Sequence, residues 1–221
     1  MANPLFRVQP LIAPQQPRLL AAPVEYSQQY VDQLTNALRL YFNQLQNFNQ
    51  LFTTNAGGAL LQFPYGAFSS GVDQTTTANT ATLMTLNTTD FSNGGVTISS
   101  SKITTAIAGT YNLQFSAQFQ NTDNAIQDIS IWLKQNGVDI PGSTGLVSIP
   151  ARKSASAGEE AHQITGWNYY VQMQADDYIE IYWSTTNAAV TIQYYPASTG
   201  PVRPATQSVV ATLSFVSALF P

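Results

Sequence analysis

The sequence predicts a mainly β chain, an antiparallel sandwich preceded by an extended arm and a single coiled-coil helix. Three observations carry that expectation. Short stretches of alternating apolar and polar residues recur from residue 81 onward, with turn signals between them. Seven apolar residues, Val31, Leu34, Leu38, Tyr41, Leu45, Phe48 and Phe52, follow one another at alternating gaps of three and four, which places them on one seam of an α-helix. Prolines at positions 4, 10, 14, 17 and 23 forbid a regular helix ahead of that seam and favour extended backbone.

The arm, residues 1–23, carries apolar pairs between its prolines: Leu5 with Phe6, Leu11 with Ile12, and Leu19 with Leu20. Disordered tails are poor in large apolar residues, so the pairs point to docking on a partner, against the alternative of a plain disordered tail. The helix is expected within residues 24–55. Pro23 suits a first helical turn, Glu25 would sit there favourably against the helix dipole, and Asn55-Ala56-Gly57-Gly58 supplies the left-handed stop. The seam spans only about three heptads, and a lone helix of that length is marginal in water. It therefore needs a surface to bury, either other copies of itself or the chain's own β-domain. Tyr41 and Phe48 at core positions suit a bundle wider than two strands.

Residues 56–80 read as an irregular connector, broken by Pro64, Gly66 and Gly71. The β-domain is expected over residues 81–221. Residues 81–86 form a Thr-rich first strand, and Asn93-Gly94-Gly95 marks a turn before Val96-Thr97-Ile98. Tyr111, Leu113, Phe115, Ala117 and Phe119 alternate with polar residues, as do Ile129, Ile131 and Leu133. Asn136-Gly137 then marks a hairpin, because both residues accept positive φ. Strands flank Asp176-Asp177, and two more lie at residues 190–194 and 209–220. About eight short strands with no helix between them argue a sandwich.

Composition narrows the function. Charged residues make up 9% of the 221, against roughly 25% in ordinary domains; Gln, Asn, Thr and Ser supply the polar surface. A net charge of −4 offers no basic patch, so no nucleic-acid partner is expected. Cysteine is absent, which removes disulfides and thiolate metal sites. The start, Met1-Ala2-Asn3-Pro4, lacks a basic region followed by an apolar run, and no stretch reaches membrane-spanning length. Neither a signal peptide nor a membrane partner is expected.

Catalytic chemistry finds little support. His162 is the sole histidine and reads as a loop residue, with no second His or Cys to build a zinc or acyl-transfer site. Asp123 with Asp128 and Asp176 with Asp177 are the carboxylate pairs that glycoside hydrolysis or a calcium loop would need. Both pairs fit turn chemistry better. The expectation is no enzyme and no cofactor or metal. Any ligand would meet the loops at residues 121–128 and 152–162, with Asp123, Asp128, Arg152 and His162 as candidates.

Gly109-Thr110-Tyr111-Asn112-Leu113-Gln114-Phe115-Ser116-Ala117 resembles the marker strand of complement-head and tumour-necrosis-factor-like jelly rolls. Residues 129–137, ending in Asn136-Gly137, and residues 171–183, with Asp176-Asp177-Tyr178, are similar to two further blocks in the same order. Residues 80–220 also resemble such domains in virion proteins of tailed bacteriophages, where Trp167-Asn168 and Arg203-Pro204-Ala205 have counterparts. The resemblance implies a ten-strand jelly-roll sandwich that trimerises through an apolar face around a threefold axis, with both domain ends at its base and loops at the far tip. It implies location in a virion, as a homotrimeric capsid-surface fibre or decoration protein whose arm grips the major capsid protein or another virion protein. The alternative is a tail-associated receptor- or glycan-binding module with a host glycan as partner. The final strand lacks the glycine-rich pattern of animal complement heads.

Overall fold

A computed structural model describes residues 13–53, 63–154 and 159–219, with the side chains of 51–53 outside the description. Leu5, Phe6, Leu11, Ile12, the Phe52 side chain and the Asn55–Gly58 stop therefore lie outside the described residues. The chain divides into two compact units, Met1–Gln62 and Phe63–Pro221.

In the first unit, residues 13–23 have no regular secondary structure, and α1 spans Gln28–Thr53. The helix starts later than its sequence suggests, and its first turn holds no acidic residue. Ser27 sets the start. Its hydroxyl accepts the Tyr30 N–H at 3.4 Å and its carbonyl accepts that of Val31 at 3.2 Å, satisfying donors that the first turn leaves open. Pro23 and Glu25 precede the helix. The arm runs beside this end, with the Tyr30 hydroxyl donating to the Leu20 carbonyl at 3.3 Å. Leu34, Leu38, Tyr41, Leu45 and Phe48 are half-buried along one face, and Val31 is exposed. Leu40 and Phe42, off the seam, are well exposed.

The second unit is an antiparallel sandwich of jelly-roll type. Its strands are β1 (Tyr65–Ser70), β2 (Thr82–Leu83), β3 (Thr88–Asn93), β4 (Val96–Ser99), β5 (Lys102–Thr105), β6 (Gly109–Asn121), β7 (Gln127–Gln135), β8 (Val138–Asp139), β9 (Gly145–Ile149), β10 (Ala161–Thr165), β11 (Asn168–Met173), β12 (Tyr178–Thr185), β13 (Val190–Ile192), β14 (Ser198–Thr199), β15 (Val202–Arg203) and β16 (Val209–Ser217). One sheet runs β6, β16, β1, β3; β10 and β11 pair along the other edge of β6, and β13 pairs with the end of β6 on the β16 side. The second runs β4, β5, β12, β7, with β8 and β9 beyond β7 and β2 beside β12. β14 and β15 form a separate hairpin.

The alternating strands behave as their sequence predicts. Tyr111, Leu113, Phe115, Ala117 and Phe119 point into the core from β6, and Ile129, Ile131 and Leu133 from β7. Phe119 and Trp183 meet edge-to-face at 5.7 Å, joining the two sheets; such a pair contributes roughly 0.5–1.5 kcal/mol beyond its buried area. The three tryptophans differ in placement. Trp183 is fully buried, Trp167 packs partly against the core, and Trp132 lies half-buried on the outer face beside Tyr182.

The sandwich begins before residue 81. Residues 65–70, read as connector, form β1 between β16 and β3. Apart from Tyr65 every residue of β1 is buried, so the strand lacks the alternation that marks a half-exposed one. The first strand read from sequence, residues 81–86, shrinks to Thr82–Leu83.

Both ends of the sandwich lie together. Phe215 N–H donates to the Pro64 carbonyl at 2.9 Å, and the Phe63 and Phe215 rings stack at 6.0 Å. β6 leads away from this base over 13 residues, about 40 Å at strand rise, and delivers the chain to the tip.

Candidate functional site: the tip loops and a neighbouring cleft

Three connections converge where β6 ends. The Thr122 N–H donates to the Ala189 carbonyl at 3.2 Å, and the Arg152 N–H to that of Asp123 at 2.8 Å. The loops after β6, β9 and β12 thus form one tip, opposite the point of chain entry. Buried Asn121 ties it down: its amide donates to the Ala125 and Pro150 carbonyls, each at 2.9 Å.

The predicted carboxylates serve this scaffold. Asp123 accepts from the Asn124 N–H at 2.7 Å, Gln127 Nε2 at 2.6 Å and Asn187 Nδ2 at 2.9 Å. Asp128 accepts from the Ser148 hydroxyl at 2.6 Å, and its own N–H donates to Thr186 Oγ1 at 3.0 Å. Asp123, enclosed by neutral N–H donors, is oriented for folding with few lone pairs left for a ligand, whereas Asp128 lies exposed on β7, outside the loop in which its sequence placed it. Among the described residues no group of three or more His, Asp or Glu gathers at metal-binding distance. Arg152 is half-buried at the tip, and its backbone holds the loops together.

His162 departs from its sequence reading. It lies on β10, opposite Gln120 of β6, and not in a loop. Ala161 and Thr165 face inward while exposed His162 and Ile164 face out, an alternation too weak in hydrophobic contrast to read as a strand. Its Nδ1 is 3.0 Å from the Tyr195 hydroxyl, and the two rings meet edge-to-face at 5.6 Å.

Tyr195 comes from a segment that sequence analysis left without a role. After β13 the chain leaves the sheet at residue 194 and returns at 207. Paired backbone hydrogen bonds between Tyr195 and Thr206, 3.1 and 2.8 Å, close the base of this excursion. At its end the β14–β15 hairpin brings Arg203 back, with one guanidinium nitrogen donating to the Pro196 carbonyl at 2.9 Å and the cation 5.4 Å from the Tyr195 ring centre. Gln118, His162, Tyr195, Arg203 and Thr206 line a surface cleft of about 260 Å³. Burial, then the charges of Asp73 and Glu160, push the Tyr195 phenol above its usual range, against a smaller opposing pull from Arg203. The Tyr195 hydroxyl and His162 Nδ1 form one hydrogen bond, and the ring's tautomer sets which of them donates. Of this set the sequence singled out His162, as a candidate ligand residue, and Arg203, as part of the Arg203-Pro204-Ala205 block; Tyr195 joins them through a backbone bridge that no local pattern reveals.

The outward row of β6 and the outer face of the β7 sheet differ in charge. On the β6 sheet, the outward row of Thr110, Asn112, Gln114, Ser116, Gln118 and Gln120 is neutral, and Thr212, Ser214 and Tyr65 continue it. On the β7 sheet, Lys134 contacts Asp139 at 3.3 Å and caps the Tyr182 ring at 4.6 Å, while Lys102 caps Tyr178 at 4.1 Å. No described helix is long and apolar enough to cross a membrane. No protein family and no curated protein matches this chain.

Proposed function

We propose that the protein is a structural, non-enzymatic component of a bacteriophage particle: a homotrimeric capsid-surface fibre or decoration protein anchored to the major capsid protein, or another virion protein, by its N-terminal arm. The observation that carries this reading is an apolar helical seam, Val31 to Phe48, in a unit of its own, joined to a sandwich that has a complete core without it. A short amphipathic helix needs its apolar stripe packed, and copies of itself offer a matching surface. The exposed Leu19 and Leu20, at 53% and 57%, suit an arm that buries them on a partner. The uncharged outward row of β6 from Thr110 to Ser116, on the base side of the cleft, supports self-association through the sandwich, since interface cores are poor in charge.

The clustering of three loops at one tip favours a second reading, a tail-associated receptor- or glycan-binding module, because loops on a rigid scaffold commonly carry binding residues.

Light scattering on the intact protein tests the trimer; a mass near three chains is expected, and a monodisperse monomer overturns it. Labelled protein located by electron microscopy in intact particles separates the head from the tail. A chain lacking residues 1–23 should stay trimeric and fail to join particles; full occupancy without the arm sinks the anchor.

A further inference from the structure

We infer that the cleft between His162, Tyr195 and Arg203 is a binding site for a neutral pyranose sugar. The inference gives a place and a ligand class to the binding-module reading and rests on it only for the biological setting.

The cleft gathers the side-chain types that sugar hydroxyls require. Vicinal hydroxyls are at once donors and acceptors, and planar polar groups meet them in pairs. Gln118 on β6 supplies an amide with both a donor and an acceptor. His162 offers its Nε2, because Nδ1 is occupied by Tyr195. Arg203 spends one nitrogen on Pro196, which leaves further guanidinium N–H groups. Thr206 adds a hydroxyl at the rim, and the rings of Tyr195 and His162 give apolar walls for the C–H face of a sugar. These groups come from β6, β10, the Tyr195–Thr206 bridge and β15, so the arrangement is built by tertiary structure and belongs to no single loop.

Size and charge select within the class. A cleft of about 260 Å³ lies below the roughly 300–1,000 Å³ of sites for drug-sized molecules, which suits one sugar ring and excludes a long buried oligosaccharide. The single cation, Arg203, shares the neighbourhood of Tyr195 with Asp73 and Glu160. An added carboxylate or phosphate would meet two acidic groups against one basic group, so a neutral sugar fits better than a uronate or sialate. The location is consistent with attachment: His162 pairs with Gln120, one residue from the end of β6 at the tip.

The test is saturation-transfer NMR on the intact chain, with methyl glucoside, methyl galactoside, methyl mannoside and N-acetylglucosamine as probes and glucuronate as the anionic comparison. At least one neutral probe should show transfer at millimolar concentration, and it should be reduced several-fold in His162→Ala and in Gln118→Ala. Both side chains lie on the outer sheet face, and unchanged melting temperatures confirm that the variants fold. Absence of transfer to every neutral probe overturns the proposal. So does transfer that both variants leave intact, or transfer to glucuronate alone. Particle adsorption is a separate measurement. If replacing the tip loops abolishes adsorption while the cleft binds no sugar, the binding-module reading stands and the cleft falls.

Discussion

Asn136 and Asp177 lock two turns together from opposite sides. Asn136 Nδ2 donates to Asp177 Oδ1 at 2.7 Å, and Asn136 Oδ1 accepts the Tyr178 N–H at 3.0 Å. Asp177 Oδ2 accepts from the Gln174 N–H at 2.7 Å and from Gln135 Nε2 at 3.0 Å. The β7–β8 hairpin and the β11–β12 turn therefore hold the base of the sandwich as one unit. Burial pushes the Asp177 carboxyl up, but the hydrogen bonds from Asn136, Gln174 and Gln135 together outweigh it and leave the group below its ordinary value.

A depressed carboxylate contributes stability above its unfolded-state value, and that contribution disappears as pH falls through the lower folded-state value. Asp177→Asn should therefore lower the melting temperature at neutral pH and converge with the parent protein as pH falls below the ordinary carboxylate range. Thermal denaturation across that range measures it. A constant gap between the two proteins at all pH values would show that the carboxylate's ionisation contributes nothing.

Gly137 sits at φ +81° beside Asn136 at +52°, the left-handed pair that a tight hairpin needs. Gly137→Val should cost about 1–2 kcal/mol, since a branched side chain is strained in that region. Urea denaturation gives the number; a change within error would mean that the turn relaxes freely.

At Gly166 space, and not φ, is limiting. A Cβ there would lie 2.1 Å from the Phe115 carbonyl oxygen and 2.9 Å from Ser116 Cα. Gly166→Ala must push β6 away from the β10–β11 connection and should cost roughly 1–3 kcal/mol. Gly71→Ala is the control, because its Cβ would meet only the flexible Gln207 side chain at 3.3 Å. Equal melting temperatures for the two variants would contradict the packing argument.

Asp123→Ala leaves the Gln127, Asn187 and Asn124 donors without their acceptor. A loss of about 1–3 kcal/mol is expected, with the largest rise in amide exchange across residues 121–128 and 186–189. Undiminished stability would return Asp123 to the list of ligand groups.

Residues 63–221 contain the whole sandwich core. Expressed alone they should give a cooperative thermal transition and native near-ultraviolet circular dichroism. A molten fragment would make the helix part of the folding unit.

Legibility followed hydrophobic contrast. β6 and β7 could be read residue by residue because large apolar side chains alternate with Asn, Gln and Ser. Asn136-Gly137 could be read because its backbone demand is chemical and local. β1 hid because both its faces are covered, and β10 because Ala161 and Thr165 are its inward residues. The helix start was misplaced because Pro23 is an acceptable first-turn residue, while Ser27, the actual cap, is common in loops too. At the tip, Asp123 was rightly placed in a turn, whereas Asp128 stands on β7; their side-chain partners Asn187 and Ser148 lie far away in sequence. The cleft was the least legible part, since Tyr195 and Arg203 reach His162 only through a bridge and a hairpin beyond β13.

The meeting of Pro64 and Phe215 has a practical side. A domain that starts and finishes at one spot works as a cassette: it can be spliced into a surface loop of a carrier with short spacers, and new termini can be opened elsewhere by circular permutation. Cargo attached after Ser217 leaves from the base. Peptides meant for display belong instead in the connections after β6 and β9, about 40 Å further along β6.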